Sequence, residues 1–293
     1  MRLLVTGSDG QVGTELKRQS SEYDFEIFHT DKEEMDITSY DDVINYFSEN
    51  QPDLLVNLAA YTNVEKAEDE REAAYQINVE GPKNLAQACK NKSIPIIHIS
   101  TDYVFNGKKD SPYTEEDEPD PINFYGETKF RGEEKIKELL PQHIIIRTSW
   151  LFSHHMGHNF IKQILNRANS NERIQVVNDI FGCPTSARSL AECIFRICEQ
   201  YRNSGRIDFG TYHFVNSPPS SWHVFATHIV DLAYENKIIN QPIFVHPVPS
   251  SHYETNAVRP INSTMSAKKI SSCYQIPDVN WRSELIEIMK EIT

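Results

Sequence analysis

Near its start the chain runs from Arg2-Leu3-Leu4-Val5-Thr6 straight into Gly7-Ser8-Asp9-Gly10-Gln11-Val12-Gly13. An apolar run that meets a glycine at every third position leaves few options. A buried strand feeding a helix through a tight turn uses all three glycines: Gly7 for the turn, Gly10 for close approach of another group to the backbone, and Gly13 for close packing of helix on strand. The spacing is G-x-x-G-x-x-G rather than G-x-G-x-x-G, and a bare glycine triplet also serves an ordinary strand-to-helix turn. Its place after the first strand favours a phosphate cradle, because the first N–H groups of a helix and its dipole face an anion there.

Beyond the turn, short apolar runs alternate with longer amphipathic ones, the pattern of βαβ units feeding a parallel sheet. Strands are expected at Leu3 to Thr6, Glu26 to His29, Leu54 to Leu58, Ile94 to Ser100 and His143 to Thr148, with helices over stretches such as Ser39 to Glu49 and Ala73 to Lys90. Five strands with crossovers imply an α/β fold with a doubly wound parallel, Rossmann-type sheet, whose ligands sit outside the carboxyl ends of the strands. From Trp150 onward the pattern loosens and prolines gather at 218, 219, 242, 247, 249 and 260. The expected division is a dinucleotide-binding domain of residues 1–149 with roughly 171–203, and a smaller C-terminal substrate-binding lobe of 150–170 and 204–293. No repeat or flexible linker separates them.

Composition narrows the class. A formal net charge of -13 without a Lys/Arg cluster argues against a nucleic-acid or membrane surface, while backbone amides and a few local cations still suffice for an anionic nucleotide. The five cysteines (Cys89, Cys183, Cys193, Cys198, Cys273) are scattered, without a Cys-x-x-Cys pair, as expected of reduced thiols in a cytoplasmic protein. The N-terminal apolar run is too short for a signal peptide, and no stretch reaches transmembrane length.

Several residues then stand out around the expected groove. Asp31, just beyond the second strand, can accept hydrogen bonds from an adenosine ribose, while Lys32 could greet a 2′-phosphate instead, which leaves NADH and NADPH both open. Asp36 and Ile37 are candidates for the adenine edge, with Asp36 alternatively capping the helix near Ser39. Asn57-Leu58-Ala59-Ala60 closes the third strand with small side chains against which a cofactor could lie. Tyr125 and Lys129, four apart on a predicted helix, share one face, and an ammonium beside a phenol favours phenolate and lowers its pKa. Thr101 ends the fourth strand, where its hydroxyl could polarise a carbonyl beside Tyr125. Tyr125, Lys129 and Thr101 in one groove would donate a proton as hydride arrives at carbon.

With these residues in place, the chain resembles the extended short-chain dehydrogenase/reductases and, within them, the dTDP-4-dehydrorhamnose reductase family. The matching stretches are TGSDGQVG, NLAAYTNVEKAE, INVEGPKNLAQAC, HISTDYVFNG, YGETKFRGE, RTSWLF, GHNF and RPINS, spread from residue 2 to about 263. The resemblance implies NAD(P)H-dependent reduction of the C4 keto group of a dTDP-sugar, dTDP-4-dehydro-L-rhamnose, with Tyr125 as general acid, Lys129 as its partner and Thr101 on the carbonyl. It implies a cofactor cradle of Gly7, Gly10, Gln11, Val12, Ala59, Ala60 and Tyr61, and a sugar-nucleotide pocket of Val64, Asp102, Tyr103, Trp150 and Arg259. Trp150 could equally be a core aromatic and Arg259 a surface ion-pair partner.

The chain departs from the family pattern at Glu65, at Asn178-Asp179-Ile180-Phe181-Gly182 and at Ser189-Leu190-Ala191, none of which touches the Tyr/Lys/Thr set. These departures leave a related 4-keto-6-deoxy sugar, an epimerase or a regulatory subunit of the methionine adenosyltransferase type as alternatives. The resemblance also allows a homodimer, since some relatives bind Mg2+ at a dimer contact through glutamates, and Glu15 and Glu192 sit at plausible positions for it; two helix-face glutamates are otherwise ordinary solvated charges, so no metal ligand is assigned. His154 and His158, four apart, invite a zinc reading, but their expected loop carries Gly157 and lacks a carboxylate context.

Overall fold

The structure is a computed structural model and describes residues 1–155, 159–170 and 172–292. Its central sheet has six strands: β1 (Arg2–Thr6), β2 (Glu26–Thr30), β3 (Leu54–Asn57), β4 (Ile96–Thr101), β5 (His143–Thr148) and β6 (Gly210–His213), in the order β6-β5-β4-β3-β1-β2. Every neighbouring pair is parallel. The chain winds one way from β1 to β2 and the other way from β3 through β6, so the direction reverses between β1 and β3. That reversal opens a crevice at their carboxyl ends.

The strands are apolar throughout because both faces of the sheet are covered. Alternate residues divide between two cores. Leu3, Val5, Val56, Ile97, Ile144 and Ile146 pack with helices α1 (Gln11–Gln19) and Ala187–Ser204. Leu4, Leu55, Ile96 and Ile145 pack with α2 (Tyr40–Asn50), α3 (Gly81–Lys92) and Ile136 of α4 (Phe124–Leu139). The five strands expected from the sequence are present, β5 with the expected bounds and the other four with one or both ends displaced by one or two residues.

A third core, built from Phe152, Ile161, Ile164, Phe225, Ile229, Trp281 and Leu285, belongs to the C-terminal half. The assignment of all of 204–293 to this lobe needs correction. β6 lies within it yet completes the main sheet, and Tyr212, Phe214, Ile270 and Tyr274 bury in the first core. β6 reads Gly-Thr-Tyr-His and has no apolar run to announce it; pairing with β5 decides its place. All five cysteines are free, and no helix among the described residues is long and apolar enough to cross a membrane.

Candidate active site

The glycine turn behaves as its spacing predicts. Gly7 has φ +64°, and a Cβ there would lie 2.6 Å from the Ala59 backbone nitrogen, so the turn and the close approach of β1 to β3 both require glycine. Gly10 caps α1 without a side-chain bond to the first-turn amides, which leaves those donors to an incoming anion. In front of it lies a cavity of about 520 Å³ walled by Asp31, Asp36, Ile37, Ala59 and Ala60. It shares Gly7, Gly10, Leu58 and Ala60 with a second cavity of about 620 Å³ that takes in Gln11, Val12, Thr101, Tyr125 and Lys129. Together they form one groove, long enough and suitably lined for an extended dinucleotide with a second ligand at its far end.

Details of the cradle differ from the sequence reading. Asp31 already accepts from the amides of Asp9 (3.2 Å) and Lys32 (2.8 Å). Asp36 does not cap α2: its Oδ1 accepts from the Thr38 amide at 2.9 Å and hydroxyl at 2.7 Å, and Ser39 takes the cap by accepting from the Asp42 amide at 3.3 Å. The serine, one residue before the helix, has the reach that Asp36 lacks. Tyr61 does not line either cavity. Its hydroxyl donates to Glu70 at 2.7 Å and its amide to Asn78 at 2.9 Å, and its partly buried ring packs against the cluster of Ala67, Ala74 and Tyr125.

Tyr125 and Lys129 sit on α4, which Asn123 starts by accepting from the Gly126 amide at 2.8 Å. The helix approaches the end of β4 so closely that a Cβ on Gly126 would fall 2.1 Å from the Tyr103 carbonyl oxygen. This contact brings Tyr125 to Thr101, whose hydroxyl acts on the Tyr125 phenol. The expected depression of that phenol by Lys129 is absent. Burial pushes the Tyr125 phenol well up, Thr101 opposes this in part, and Lys129 is not among the groups acting on it. The Lys129 ammonium is engaged elsewhere, donating to the Ile99 carbonyl at 2.7 Å and facing His98 Nε2 at 3.5 Å.

The network behind Lys129 was invisible in the sequence. Asn57 Oδ1 accepts from the Thr6 hydroxyl (2.6 Å) and the Ala59 amide (3.1 Å), which fixes its Nδ2 as donor to His98 Nδ1 at 2.9 Å. His98, fully buried and held neutral by burial and by Lys129, therefore carries its proton on Nε2 and presents that N–H to Lys129. A donor facing the amine favours its neutral form, in the same sense as burial, which brings Lys129 down to about 8 against the attraction of Glu133. Glu133 lies one further turn along the same face and is clamped by Arg147 through bonds of 2.9 and 2.7 Å and by Ser100 at 2.6 Å.

At the far end, Val64, Asp102, Tyr103 and Trp150 line the second cavity. Trp150 is stacked on Trp222, with ring centroids 3.6 Å apart and planes 13° apart, so Trp222 forms part of the wall although no motif marked it. Arg259 is not a lining residue. It pairs with Glu65 at 2.5 Å and contacts Tyr103, while Glu65 also accepts from the Asn256 and Ala257 amides. The departure at Glu65 thus fastens the segment that carries Arg259.

Among the described residues of one chain, Glu15 and Glu192 do not fall within a single group of metal-capable side chains. Glu192 faces Arg188, whereas Glu15 is buried in a cleft with His154, His155 and Glu291. Those two histidines and Glu291 are the only group of three metal-capable side chains among the described residues, and Arg18 and Arg188 already bring positive charge to Glu291. His158 lies outside the described residues.

A parallel doubly wound sheet, an anion-ready glycine turn and a Thr/Tyr/Lys cluster in the same groove define a dinucleotide-binding oxidoreductase of the short-chain class. A family model for the RmlD substrate binding domain matches residues 1–293. A dTDP-4-dehydrorhamnose reductase of Sinorhizobium fredii is 38% identical over 96% of this chain and 94% of its own length. Among solved structures, a dTDP-4-dehydrorhamnose reductase of Clostridium acetobutylicum aligns with a TM-score of 0.91 at 33% identity, covering 100% of this chain and 99% of that one. The Bacillus anthracis reductase in complex with NADP aligns with a TM-score of 0.88 at 34% identity over 99% of both chains. The chain belongs to the dTDP-4-dehydrorhamnose reductase family.

Proposed function

We propose that this protein uses NAD(P)H to reduce the C4 carbonyl of dTDP-4-dehydro-L-rhamnose to dTDP-L-rhamnose. The observation that carries the reading is the meeting of Thr101, Tyr125 and Lys129 in a cavity continuous with the Gly7–Gly10 cradle. The free amides at the start of α1 fit a diphosphate. NAD(P)H bound there supplies the hydride.

The protein's own side chains handle the proton. Tyr125, kept protonated at neutral pH by burial, gives its phenolic proton to the oxygen as negative charge develops on it. Thr101 stabilises the same oxygen by hydrogen bonding. Lys129, with a pKa of about 8, is cationic in most molecules near neutral pH; one turn from Tyr125 on α4, its ammonium leaves the Ile99 carbonyl for the phenolate only after Tyr125 has given up its proton. The stacked Trp150 and Trp222 provide an apolar wall for the sugar-nucleotide and keep water from the reacting carbon.

The test is to offer the purified protein dTDP-4-dehydro-L-rhamnose with NADPH and with NADH, following nicotinamide absorbance and identifying the product sugar. Tyr125→Phe is expected to lose at least a hundredfold in kcat, in line with removal of a general acid, and to bind the cofactor as the parent does. Normal turnover by that variant, or net turnover only with a different 4-keto sugar, would overturn the assignment.

A further inference from the structure

We propose that Asp102 is a positioning residue whose protonation state sets the polarity of the Thr101 hydroxyl: protonated Asp102 makes Thr101 a donor to the substrate carbonyl, and ionised Asp102 makes it an acceptor. This inference rests on the reductase reading above and adds a switch to it.

The argument is an accounting of one oxygen. Thr101 Oγ1 has one proton and two lone pairs. One lone pair accepts from the Tyr103 amide at 3.2 Å, the Asp102 Oδ1 lies 3.1 Å away, and the Tyr125 phenol, also within hydrogen-bond reach of this hydroxyl, turns its own proton to the substrate oxygen when a substrate is bound. If Asp102 is ionised it can only accept, so the Thr101 proton turns to Asp102 and the remaining lone pair faces the cavity. A carbonyl oxygen arriving there meets another acceptor. If Asp102 carries a proton, that O–H fills the second lone pair of Thr101, both are then occupied, and the Thr101 proton is left for the substrate. The second Asp102 oxygen is fixed in either state, since Ser263 donates to Oδ2 at 2.5 Å. Asp102 is 2% exposed, so water cannot substitute for either partner.

Burial pushes the Asp102 carboxyl up to about 7, against the hydrogen bonds of Ser263 and Thr101 that pull it down. The groups facing it are Thr101 and Tyr103 on its own segment, Tyr125 on α4, Cys183, and Ser263 from the C-terminal segment. Burial is the largest influence on the carboxyl and disfavours its ionised form, and the nearest cation these contacts reveal, Arg259, is engaged with Tyr103 and Glu65. The protonated state therefore suits reduction, and the ionised state suits an alcohol, whose own O–H can donate to Thr101.

Asp102→Asn tests the idea because an amide donates to Thr101 and accepts from Ser263 at every pH, as the protonated acid does. Between pH 6 and pH 8, one unit on either side of 7, kcat/KM for dTDP-4-dehydro-L-rhamnose is expected to fall about tenfold more in the parent protein than in Asp102→Asn. Ser263→Ala, which removes a donor to the carboxylate, should move the parent's falling limb to higher pH. Parallel profiles in the parent and Asp102→Asn would overturn the proposal. Infrared titration of the protein without substrate gives a second readout. A protonated-carboxyl C=O band should be present at pH 6, fade through pH 7 and be missing from Asp102→Asn, and failure to find it would overturn the proposal whether or not this sugar is turned over. Absence of turnover with that band present would instead refute the substrate assignment.

Discussion

Lys129→Met should make the protein more stable while abolishing its proposed chemistry. Lys129 is 2% exposed, and burial holds its pKa at about 8 where a free lysine has 10.5. At about 1.4 kcal/mol per pH unit, that difference is roughly 3 kcal/mol of destabilisation carried by the ammonium in the folded state. The sign follows from proton binding. Below pH 8 the residue is charged in both folded and unfolded chains and the full cost is present. Between 8 and 10.5 the unfolded chain still holds a proton that the folded one has released, so stability rises with pH; above 10.5 the cost is gone. Methionine fills nearly the same volume without a charge, but it leaves Ile99 without the 2.7 Å bond from Nζ, a loss of about 1 kcal/mol. The net gain expected at pH 7 is therefore roughly 2 kcal/mol, seen as a higher urea midpoint with unchanged slope. The decisive assay is the same comparison at pH 10, where the advantage of Lys129→Met should have largely vanished. A variant that is less stable at pH 7, or an advantage that does not shrink with pH, would refute the claim that a desolvated charge sits at this position.

Other parts of the site make separate predictions. Glu133→Gln leaves the buried Arg147 guanidinium without its carboxylate and should cost about 3–5 kcal/mol in denaturant unfolding, with Arg147→Met in the same background recovering much of it. Gly7→Ala must place a Cβ 2.6 Å from the Ala59 nitrogen in a left-handed conformation, so NADPH affinity measured by calorimetry should fall at least tenfold. Trp222→Ala removes the ring stacked on Trp150 and should lower kcat/KM for the sugar roughly three- to tenfold, with the cofactor dissociation constant unchanged.

What the chain disclosed in advance depended on whether the deciding interactions were local. The apolar runs of β1, β3, β4 and β5 announce themselves because a sheet covered on both faces needs them, and the Gly7 turn because its glycines are forced by backbone contacts within one βα unit. β6 could not be seen this way, since Gly210–His213 is a strand by virtue of its partner, β5, more than sixty residues earlier. Tyr61 illustrates the converse. Its neighbours Ala59 and Ala60 do line the groove, but the tyrosine is held by Glu70 and by the cluster of Ala67, Ala74 and Tyr125, contacts that its place in the sequence does not disclose.

The same distinction runs through the site. Helical spacing alone puts Tyr125 and Lys129 on one face of α4, and four residues further on Glu133 was legible by the same rule. Spacing says which groups share a face and nothing about which of them gives a proton and which takes one. That polarity is fixed by Asn57 on β3, His98 on β4 and Ser263 near the C-terminus, each of which looks in the sequence like an ordinary strand or loop residue. Asn57 dictates the tautomer of His98, and His98 the company of Lys129; Ser263 anchors Asp102, and Asp102 orients Thr101. A lysine and an aspartic acid brought to about 8 and about 7 in the lining of one cavity are a product of burial by several chain segments. A short motif can therefore name the groups that touch a substrate, while the pH at which they are ready to act is a property of the assembled core.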